Sequence, residues 1–397
     1  METNILNEKS IYGPLLKYIE NEDITDIDYN GKALWIRDCK NIRKQVDEDI
    51  PEGFLDEFVQ HVANSVSKDF NKLHPLLEAE TPNLRISVLR EPAVVSGLSL
   101  CIRKTPPFAR ITVQNAYEND YATVLQLSLL HNLVKAHRTV MICGEPGVGK
   151  TEFAKFLSGF IPEDERVITI EDSLEWRYRE LKPFADCIEM QVSDVFTIDD
   201  ALKASLRQNP KWLMVSELRG GEAPSYVKNI SAGMKSITTL HTDDVRNVID
   251  RICNMSANPV ARERMETDLY TFLDAAVLIS MKENPDTGEC KRFVDQLCFF
   301  YSANGKKHKY MVFDNGKLVS EALPEAVVRK FNKEGVSNPF ISWDIQEMLG
   351  LDIDEYIQNV PNVGTELNQI NIDENMNQKD SLASEDNSAI IRKAGVW

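Results

Sequence analysis

The amino-acid sequence predicts an α/β protein in which a small N-terminal α/β domain precedes a larger domain with a mostly parallel sheet. Two observations predict this class. The chain has 397 residues, more than one domain usually holds, and beyond residue 120 short apolar runs alternate with helix-like segments. Because parallel strands are joined by helices and buried on both faces, this alternation indicates a parallel sheet. The predicted divisions are an N-terminal domain at 1–103, a linker at 104–120, the larger domain at 121–350 and an acidic, polar tail at 351–397.

Composition and charge exclude several classes of protein. Hydrophobic residues make up 43% of the chain, too many for a wholly disordered polypeptide, and no run approaches the ~18 apolar residues of a membrane-spanning helix. The formal net charge of −17 argues against direct nucleic-acid binding, which depends on clustered Lys and Arg. The seven cysteines form no CxxC pair, and the N-terminus carries no export signal. We therefore expect a soluble, cytoplasmic protein with reduced thiols.

The N-terminal domain is predicted to contain a hairpin, a helix and further strands. Alternating apolar residues over 23–37 flank Asn30 and Gly31, a dipeptide that favours positive φ at both corners of a type I′ turn. The apolar residues of 54–66 recur at helical spacing. Two more strands are predicted, at 85–88 and 98–103.

The larger domain begins after a segment that interrupts regular hydrogen bonding at Pro106 and Pro107, which favours a linker there. Its apolar runs predict strands at 139–143, 166–170, 212–216, 236–240 and 276–281. Residues 293–319 then change to a meander, with Asn-Gly turn signals at 304–305 and 315–316. From 351 onward large apolar residues are few, and we expect a disordered tail.

The strongest chemical signal is a glycine-rich loop after the first of these strands. It matches the G-x-x-x-x-G-K-[ST] phosphate loop in full, with Gly144, Glu145, Pro146, Gly147, Val148, Gly149, Lys150 and Thr151. Glycines let the backbone amides point at phosphate oxygens, and the N-terminus of the following helix adds partial positive charge. Lys150 then neutralises the β- and γ-phosphates, and the Thr151 hydroxyl binds Mg²⁺. The loop therefore predicts nucleotide and Mg²⁺ binding.

Acidic residues lie at the ends of two other predicted strands. Glu171 follows the strand at 166–170, and Glu217 follows the strand at 212–216. Ser216 occupies the position where most phosphate-loop enzymes carry Asp. Glu217 at this edge of a sheet can polarise the attacking water or hold a Mg²⁺-bound water, and Glu171 is a candidate for the same task. A strand-end glutamate is equally compatible with solvation or a helix N-cap.

A histidine ends a third predicted strand. His241 directly follows the strand at 236–240. A lone histidine is more often structural than catalytic, but His241 directly follows a predicted strand, as the other candidate polar groups do. An imidazole at this edge can hydrogen-bond the γ-phosphate and respond to its loss.

These segments together resemble the type II/type IV secretion ATPase superfamily, the traffic ATPases of secretion, pilus assembly and conjugation. Beside the phosphate loop, the resemblance rests on an acidic box at 170–175, a segment at 204–210, an atypical Walker B at 215–219 and a histidine box at 239–242. In the N-terminal domain, 26–31 resembles the family's hairpin signature and 98–104 its arginine-bearing strand. The absence of CxxC pairs favours the subgroup of tight-adherence pilus motors and conjugation or type IV secretion ATPases over the zinc-binding branch.

The resemblance implies an ATP-hydrolysing motor for protein secretion or type IV-like pilus assembly, with a RecA-like ATPase domain. Such proteins form homohexamers at the inner face of the cytoplasmic membrane, where their partners are membrane platform proteins. ATP and Mg²⁺ are the implied cofactors. Carried over to this sequence, Lys150 and Thr151 hold phosphate and Mg²⁺, and Glu217 and Glu171 are the candidates for activating water. Glu217 also reaches Mg²⁺ through water, and His241 contacts the γ-phosphate.

The resemblance further implies arginines that stabilise charge on the transferred phosphoryl group. Arg103 is the first candidate, followed by Arg85 and Arg219. An ordinary ion pair is the alternative for each of them, and for Arg85 it is the preferred one.

Three alternative functions stay open: a conjugative DNA-transfer ATPase of a type IV secretion system, an AAA+ remodelling ATPase, and a nucleotide-binding adaptor that does not hydrolyse. Residues 145–148 are similar to AAA+ loops. However, Ser216 and Glu217 lack the AAA+ Asp-Glu pair, and the meander argues against a helical lid. The acids Glu171 and Glu217 argue against the adaptor, because a pure binder needs no group to activate water.

Overall fold

The computed structural model describes residues 9–51, 53–81, 83–320, 322–352, 356 and 360. These residues form two compact units. The first contains the chain up to Phe108, together with Ser173–Arg177 and Lys282–Lys291. The second contains Ala109–Asp172, Tyr178–Met281 and the chain from Arg292 onward.

The first unit is built on a six-stranded sheet. In chain order its elements are a 3₁₀ helix at Lys9–Leu15, α1 at Leu16–Glu20, β1 at Ile24–Tyr29, β2 at Leu34–Asp38, β3 at Arg43–Val46, α2 at Phe54–Ser65, β4 at Leu76–Glu80, β5 at Leu84–Leu89 and β6 at Ser99–Lys104. The strands lie in the order β3-β2-β1-β6-β5-β4, and each neighbouring pair is antiparallel. The predicted helix at 54–66 and the strands at 85–88 and 98–103 are confirmed.

The core of this unit follows from the periodicity of its strands and of α2. In β5, Leu84, Ile86 and Val88 are buried in alternation with half-buried residues, as expected for a sheet with one covered face. Helix α2 contributes buried residues at helical spacing, among them Phe58 and Val62, to the same apolar cluster.

The predicted hairpin between β1 and β2 is confirmed, but the predicted type I′ turn is wrong. A type I′ turn needs positive φ at both central residues, whereas only Gly31, at +89°, has it. The connection is a four-residue loop in which Asn30 Oδ1 accepts hydrogen bonds from the backbone N–H groups of Lys32 and Ala33. Glycine is required at position 31 because a Cβ atom would lie 2.3 Å from the carbonyl oxygen of Ser96.

The second unit contains the remaining elements. They are α3 at Val113–Glu118, α4 at Val124–Lys135, β7 at Val140–Cys143, α5 at Lys150–Ser158, β8 at Val167–Glu171, α6 at Tyr178–Leu181, β9 at Cys187–Gln191, α7 at Ile198–Ser205, β10 at Trp212–Leu218, α8 at Ala223–Ser231, β11 at Lys235–Leu240, a 3₁₀ helix at Val245–Asn247, α9 at Val248–Asn254, α10 at Pro259–Phe272, β12 at Ala275–Glu283, β13 at Cys290–Ala303, β14 at Lys306–Asp314, β15 at Lys317–Leu318, α11 at Glu325–Asn332 and α12 at Trp343–Leu349.

The second sheet has the order β15-β14-β13-β12-β7-β11-β10-β8-β9. Six consecutive strands, from β12 to β9, run parallel. The predicted α/β class and mostly parallel sheet are therefore confirmed. Strand β9 was not predicted, because its short sequence at Cys187–Gln191 alternates with polar residues instead of forming an apolar run. The parallel order brings the carboxyl ends of β7, β8, β10 and β11 to one edge.

The predicted meander is confirmed in β13, β14 and β15. Its two Asn-Gly turns have positive φ at both residues, at 304–305 and at 315–316, which is the type I′ signature.

The predicted linker at 104–120 contains helix α3. The N-terminus of this helix is capped by a capping box that Thr112 and Asn115 form. The predicted tail lies outside the described residues except for 351, 352, 356 and 360. Within the described part of the chain, no helix has the length and hydropathy to cross a membrane.

Replacing Gly31 with Ala is expected to loosen the first sheet. The substitution forces positive φ on an L-residue, which costs about 1–2 kcal/mol, and the contact with Ser96 adds about 1–3 kcal/mol of overpacking. Gly97→Ala is the matched control, since Gly97 also has positive φ but its Cβ would meet nothing within 4 Å. Amide exchange by mass spectrometry should show faster exchange in β1 and β2 of Gly31→Ala than of Gly97→Ala. Equal exchange in the two variants would contradict the close approach.

Candidate active site

The predicted phosphate loop connects β7 with helix α5. All four residues of β7 are fully buried, so the loop starts from a fixed point. Gly144 has φ +150°, and a Cβ atom on it would lie 2.7 Å from the carbonyl oxygen of Ile279, so a larger residue does not fit. The loop ends at Gly149, where α5 begins with Lys150 and Thr151. Its backbone therefore curls around the N-terminus of a nine-residue helix, where amide groups favour anions.

Lys150 lies beneath this loop and is only 8% exposed. Its Nζ donates hydrogen bonds to the carbonyl oxygens of Gly144 and Glu145, both at 3.0 Å, and lies 3.0 Å from Nδ1 of His241. Burial lowers the pKa of Lys150 to about 8, while the charge of Glu217 opposes the shift. The ammonium group is thus held by neutral acceptors in a place where an anion would stabilise its charge.

His241 connects the lysine with the acid at the end of β10. Its Nε2 lies 2.8 Å from Oε1 of Glu217. Because an ammonium group can only donate, Nδ1 must accept from Lys150, and the ring proton is assigned to Nε2, which donates to Glu217. Burial lowers the pKa of His241, Lys150 lowers it further, and Glu217 opposes both. A neutral imidazole satisfies both contacts.

Glu217 reaches His241 because the pairing of β10 and β11 is irregular. Val215 pairs with Thr238 and Leu218 with Leu240, so β10 contains one more residue than β11 across this stretch. The extra residue falls at Ser216 and Glu217. A bulge of this kind redirects side chains, and here it accompanies the approach of Glu217 to the end of β11.

Arg219 binds the second oxygen of Glu217. Its Nε lies 3.0 Å from Glu217 Oε2, and its Nη1 lies 2.7 Å from Asp172 Oδ2. The guanidinium group therefore joins the end of β10 to the residue that follows β8. Two of the five N–H donors of its guanidinium group are thus directed at carboxylates, and contact of Arg219 with the transferred phosphoryl group stays a prediction. Such a pair fixes the orientation of Glu217.

The other predicted site residues lie in two places. Glu171 is the last residue of β8 and is fully buried, at the same sheet edge as Glu217. Arg103 and Arg85 belong to the first unit. There Arg103 Nε lies 3.0 Å from Asp26 Oδ1, and Arg85 Nη1 lies 3.8 Å from Glu175 Oε1, so both arginines take part in ion pairs.

One cation beside the loop was missed by the sequence reasoning. Arg292, near the start of β13, lies with Nη2 3.5 Å from the carbonyl oxygen of Gly147. It stands outside every recognised motif and 145 positions from Gly147, so neither spacing nor composition pointed to it.

The residues fit a nucleotide with Mg²⁺. Lys150 and the N-terminus of α5 supply positive charge for phosphate, and Thr151 and the neighbouring carboxylates supply the oxygen ligands that Mg²⁺ prefers. Across the described residues, no three His, Cys, Asp or Glu side chains are grouped as a metal site. Mg²⁺ at nucleotides usually takes one or two protein oxygens and completes its coordination with phosphates and water.

The glycine loop between a buried parallel strand and a helix that begins with Lys150, with acids at the neighbouring strand ends, is the arrangement of a phosphate-loop nucleotide-binding protein of the α/β class. The family model described as "Type II/IV secretion system protein" matches residues 71–332. The chain belongs to this family, as the sequence resemblance predicted.

Individual proteins agree with the family assignment. The chain is 30% identical over 312 residues to an uncharacterised protein of Bacillus anthracis, covering 75% of this chain and 70% of that protein. It is 27% identical over 281 residues to the type IV secretion system protein VirB11 of Brucella suis, covering 62% of this chain and 76% of VirB11. Its fold is similar to that of the pilus retraction motor PilT with bound ADP, with a TM-score of 0.53 and 16% identity over 88% of this chain and 99% of PilT. Family membership supports ATP binding and ATPase activity as the general class.

Nucleotide affinity is expected to fall as the pH rises above about 8. Below that pH Lys150 is protonated and ready for phosphate. Above that pH the amine of free Lys150 is deprotonated, because burial lowers its pKa to about 8. A bound polyanion raises the pKa again, so nucleotide binding has to be accompanied by protonation of the amine. The dissociation constant of ADP, measured by calorimetry from pH 7 to 10, should rise up to about tenfold per pH unit above pH 8.

Lys150→Arg is the control for this dependence, since a guanidinium group does not titrate in that range. Its dissociation constant should be independent of pH, whatever its absolute affinity. A flat profile in the unmodified protein, with circular dichroism unchanged, would contradict the assignment to Lys150.

Proposed function

We propose that this chain hydrolyses ATP with Mg²⁺ and, as a homohexamer, powers a type IV secretion machine or a related type IV-like pilus. In this proposal it acts at the inner face of the cytoplasmic membrane through membrane platform proteins. Membership of the type II/IV secretion family supports the proposal, and so does the similarity to Brucella VirB11, which is named a type IV secretion system protein.

One observation carries the enzymatic part: Lys150, His241 and Glu217 form a continuous hydrogen-bonded chain beneath the phosphate loop. A protein that only binds nucleotide needs the lysine but no carboxylate at that edge. A single imidazole ring separates Glu217 from Lys150, so a carboxylate that can act as a base lies at the same edge as the phosphate-binding lysine.

The contacts of Glu217 indicate how this base is prepared. Its Oε1 accepts a hydrogen bond from His241 and its Oε2 accepts one from Arg219, so both contacts orient the carboxylate. When Lys150 turns from the loop carbonyls and His241 toward phosphate oxygens, His241 Nδ1 loses a donor and becomes free to accept another hydrogen bond. Lys150 and His241 therefore link phosphate binding to the position of the base.

Mg²⁺, when bound, supplies charge neutralisation at the phosphates, and Thr151 and, through water, Glu217 are the residues that would hold it. Arg103 is proposed, from the family resemblance, to stabilise phosphoryl charge. In this structure Nε of Arg103 pairs with Asp26. Arg85 is assigned to its ion pair with Glu175.

The relatives favour secretion over the alternatives. The AAA+ alternative is set aside because the family model covers residues 71–332. Conjugative DNA transfer by a type IV secretion system stays the second candidate, because VirB11 is named as a protein of such a system. Neighbouring genes for a relaxase and a coupling protein would favour conjugation, and neighbouring genes for pilin-like proteins would favour a pilus.

Glu217→Gln is expected to bind ATP but to hydrolyse it about 10²–10⁴-fold more slowly, because the general base is lost while the phosphate loop is intact. Lys150→Ala should lose ATP affinity as well. Asp243→Asn, which removes an exposed carboxylate two residues after His241, is the matched control and should keep its activity. Phosphate release with Mg²⁺ and calorimetric ATP binding are the two measurements.

The same assay with Glu171→Gln decides between the two acids. Full activity of Glu217→Gln with loss in Glu171→Gln would reverse their roles. Absence of phosphate release from the unmodified protein, with normal ATP binding, would favour the adaptor function.

Assembly is expected to depend on nucleotide. Light scattering of the full chain with a non-hydrolysable ATP analogue and Mg²⁺ should give six times the monomer mass, because the proposed motor works as a ring. Lys150→Ala, which cannot hold the analogue, should shift toward smaller species under the same conditions. A monomer at every protein concentration would count against the hexamer.

A further inference from the structure

The phosphate loop has two different flanks. Its strand β7 lies between β11 and β12 in the sheet. On the β11 side are His241 and Glu217, the groups assigned to the terminal phosphate. On the β12 side the next strand is β13, which no motif had connected with the nucleotide.

Arg292 of β13 lies against the loop on this second flank. Its Nη2 is 3.5 Å from the carbonyl oxygen of Gly147, and a Cβ atom on Gly149 would lie 3.9 Å from its Cδ. The guanidinium group is therefore next to the loop backbone, at the side away from His241.

A second polar group accompanies Arg292. The hydroxyl of Tyr121 is buried and has no hydrogen-bond partner among the residues that the structure describes. Its ring stacks on Phe153 of helix α5, with centroids 6.0 Å apart and planes inclined by 22°. Burial raises the pKa of Tyr121 above its usual range, and the positive charge of Arg292 opposes this rise.

The position of Tyr121 is fixed relative to Arg292. The backbone N–H of Val294 donates to the carbonyl oxygen of Tyr121 at 2.8 Å, and Gln126 Nε2 donates to the carbonyl oxygen of Val294 at 3.0 Å. The segment that carries Tyr121 is thus bonded to β13 two residues beyond Arg292. A buried hydroxyl without a hydrogen-bond partner is unfavourable, so a ligand that hydrogen-bonds to it would remove this penalty.

We propose that Arg292 binds the α-phosphate of the nucleotide and that Tyr121 binds its ribose. If the terminal phosphate faces Lys150, His241 and Glu217, the rest of the molecule has to leave over the opposite flank of the loop. A guanidinium group matches a phosphate through paired N–H donors, and a tyrosine hydroxyl matches a ribose hydroxyl. This inference rests on the proposed function, in which ATP occupies the loop.

Substitution of Arg292 separates this role from one at the terminal phosphate. In the full chain, Arg292→Gln should raise the KM for ATP and the dissociation constant of ADP at least tenfold, with kcat within about threefold. Tyr121→Phe should raise the ATP KM several-fold with kcat unchanged, and Arg292→Lys should recover part of the affinity.

Lys291→Gln is the matched control, because it removes a positive charge from the adjacent residue and should leave all constants unchanged. Unchanged ATP KM and ADP affinity in Arg292→Gln would overturn the inference. A loss of kcat as large as the loss of ADP affinity would also overturn it, because it would move Arg292 to the terminal phosphate. A lowered melting temperature of nucleotide-free Arg292→Gln, together with normal constants in Tyr121→Phe, would overturn it as well. Failure of the unmodified protein to bind any adenine nucleotide would instead overturn the proposed function.

Discussion

The parallel order of β12, β7, β11, β10 and β8 is the constraint on which the site depends. Parallel strands present their carboxyl ends at one edge, so residues distant in sequence meet there without any dedicated loop. The phosphate loop follows β7, His241 follows β11, Glu217 is the penultimate residue of β10, and Glu171 is the last residue of β8. An antiparallel reversal of any one of these strands would carry its polar residue to the opposite edge.

At this edge the charges alternate along one chain of contacts. Lys150 contacts His241, which contacts Glu217, and Glu217 contacts Arg219, which reaches Asp172. Buried charges are tolerated when they are hydrogen-bonded, and the buried ammonium group of Lys150 is bonded to two carbonyl oxygens and to His241. The arrangement also leaves Lys150 with neutral acceptors only, so a polyanion at the loop competes for it directly. Binding of phosphate and orientation of the base are thus parts of one network.

The sequence was sufficient for the fold class and for the residues at the strand ends, because both follow from local patterns: apolar runs, turn signals and the phosphate-loop spacing. It was insufficient where tertiary contacts decide. Glycine is required at position 31 because Ser96 approaches it from outside the hairpin, and the hairpin sequence alone does not show that contact. The bulge at Glu217 comes from the pairing of two strands, and Arg219 turns to Asp172 because β8 lies beside β10. Arg292 reaches the loop through the order of the sheet, which no local pattern encodes.

Nitrogen NMR of labelled histidine tests the central claim most directly. The His241 signal, assigned by its loss in His241→Gln, is predicted to show a protonated Nε2 and an unprotonated Nδ1 at pH 7.5. Addition of ADP with Mg²⁺ should shift the Nδ1 resonance, because Lys150 leaves it, while Nε2 stays protonated toward Glu217. A protonated Nδ1 in the free protein, or no change at Nδ1 with saturating nucleotide, would contradict the shared imidazole between Lys150 and Glu217.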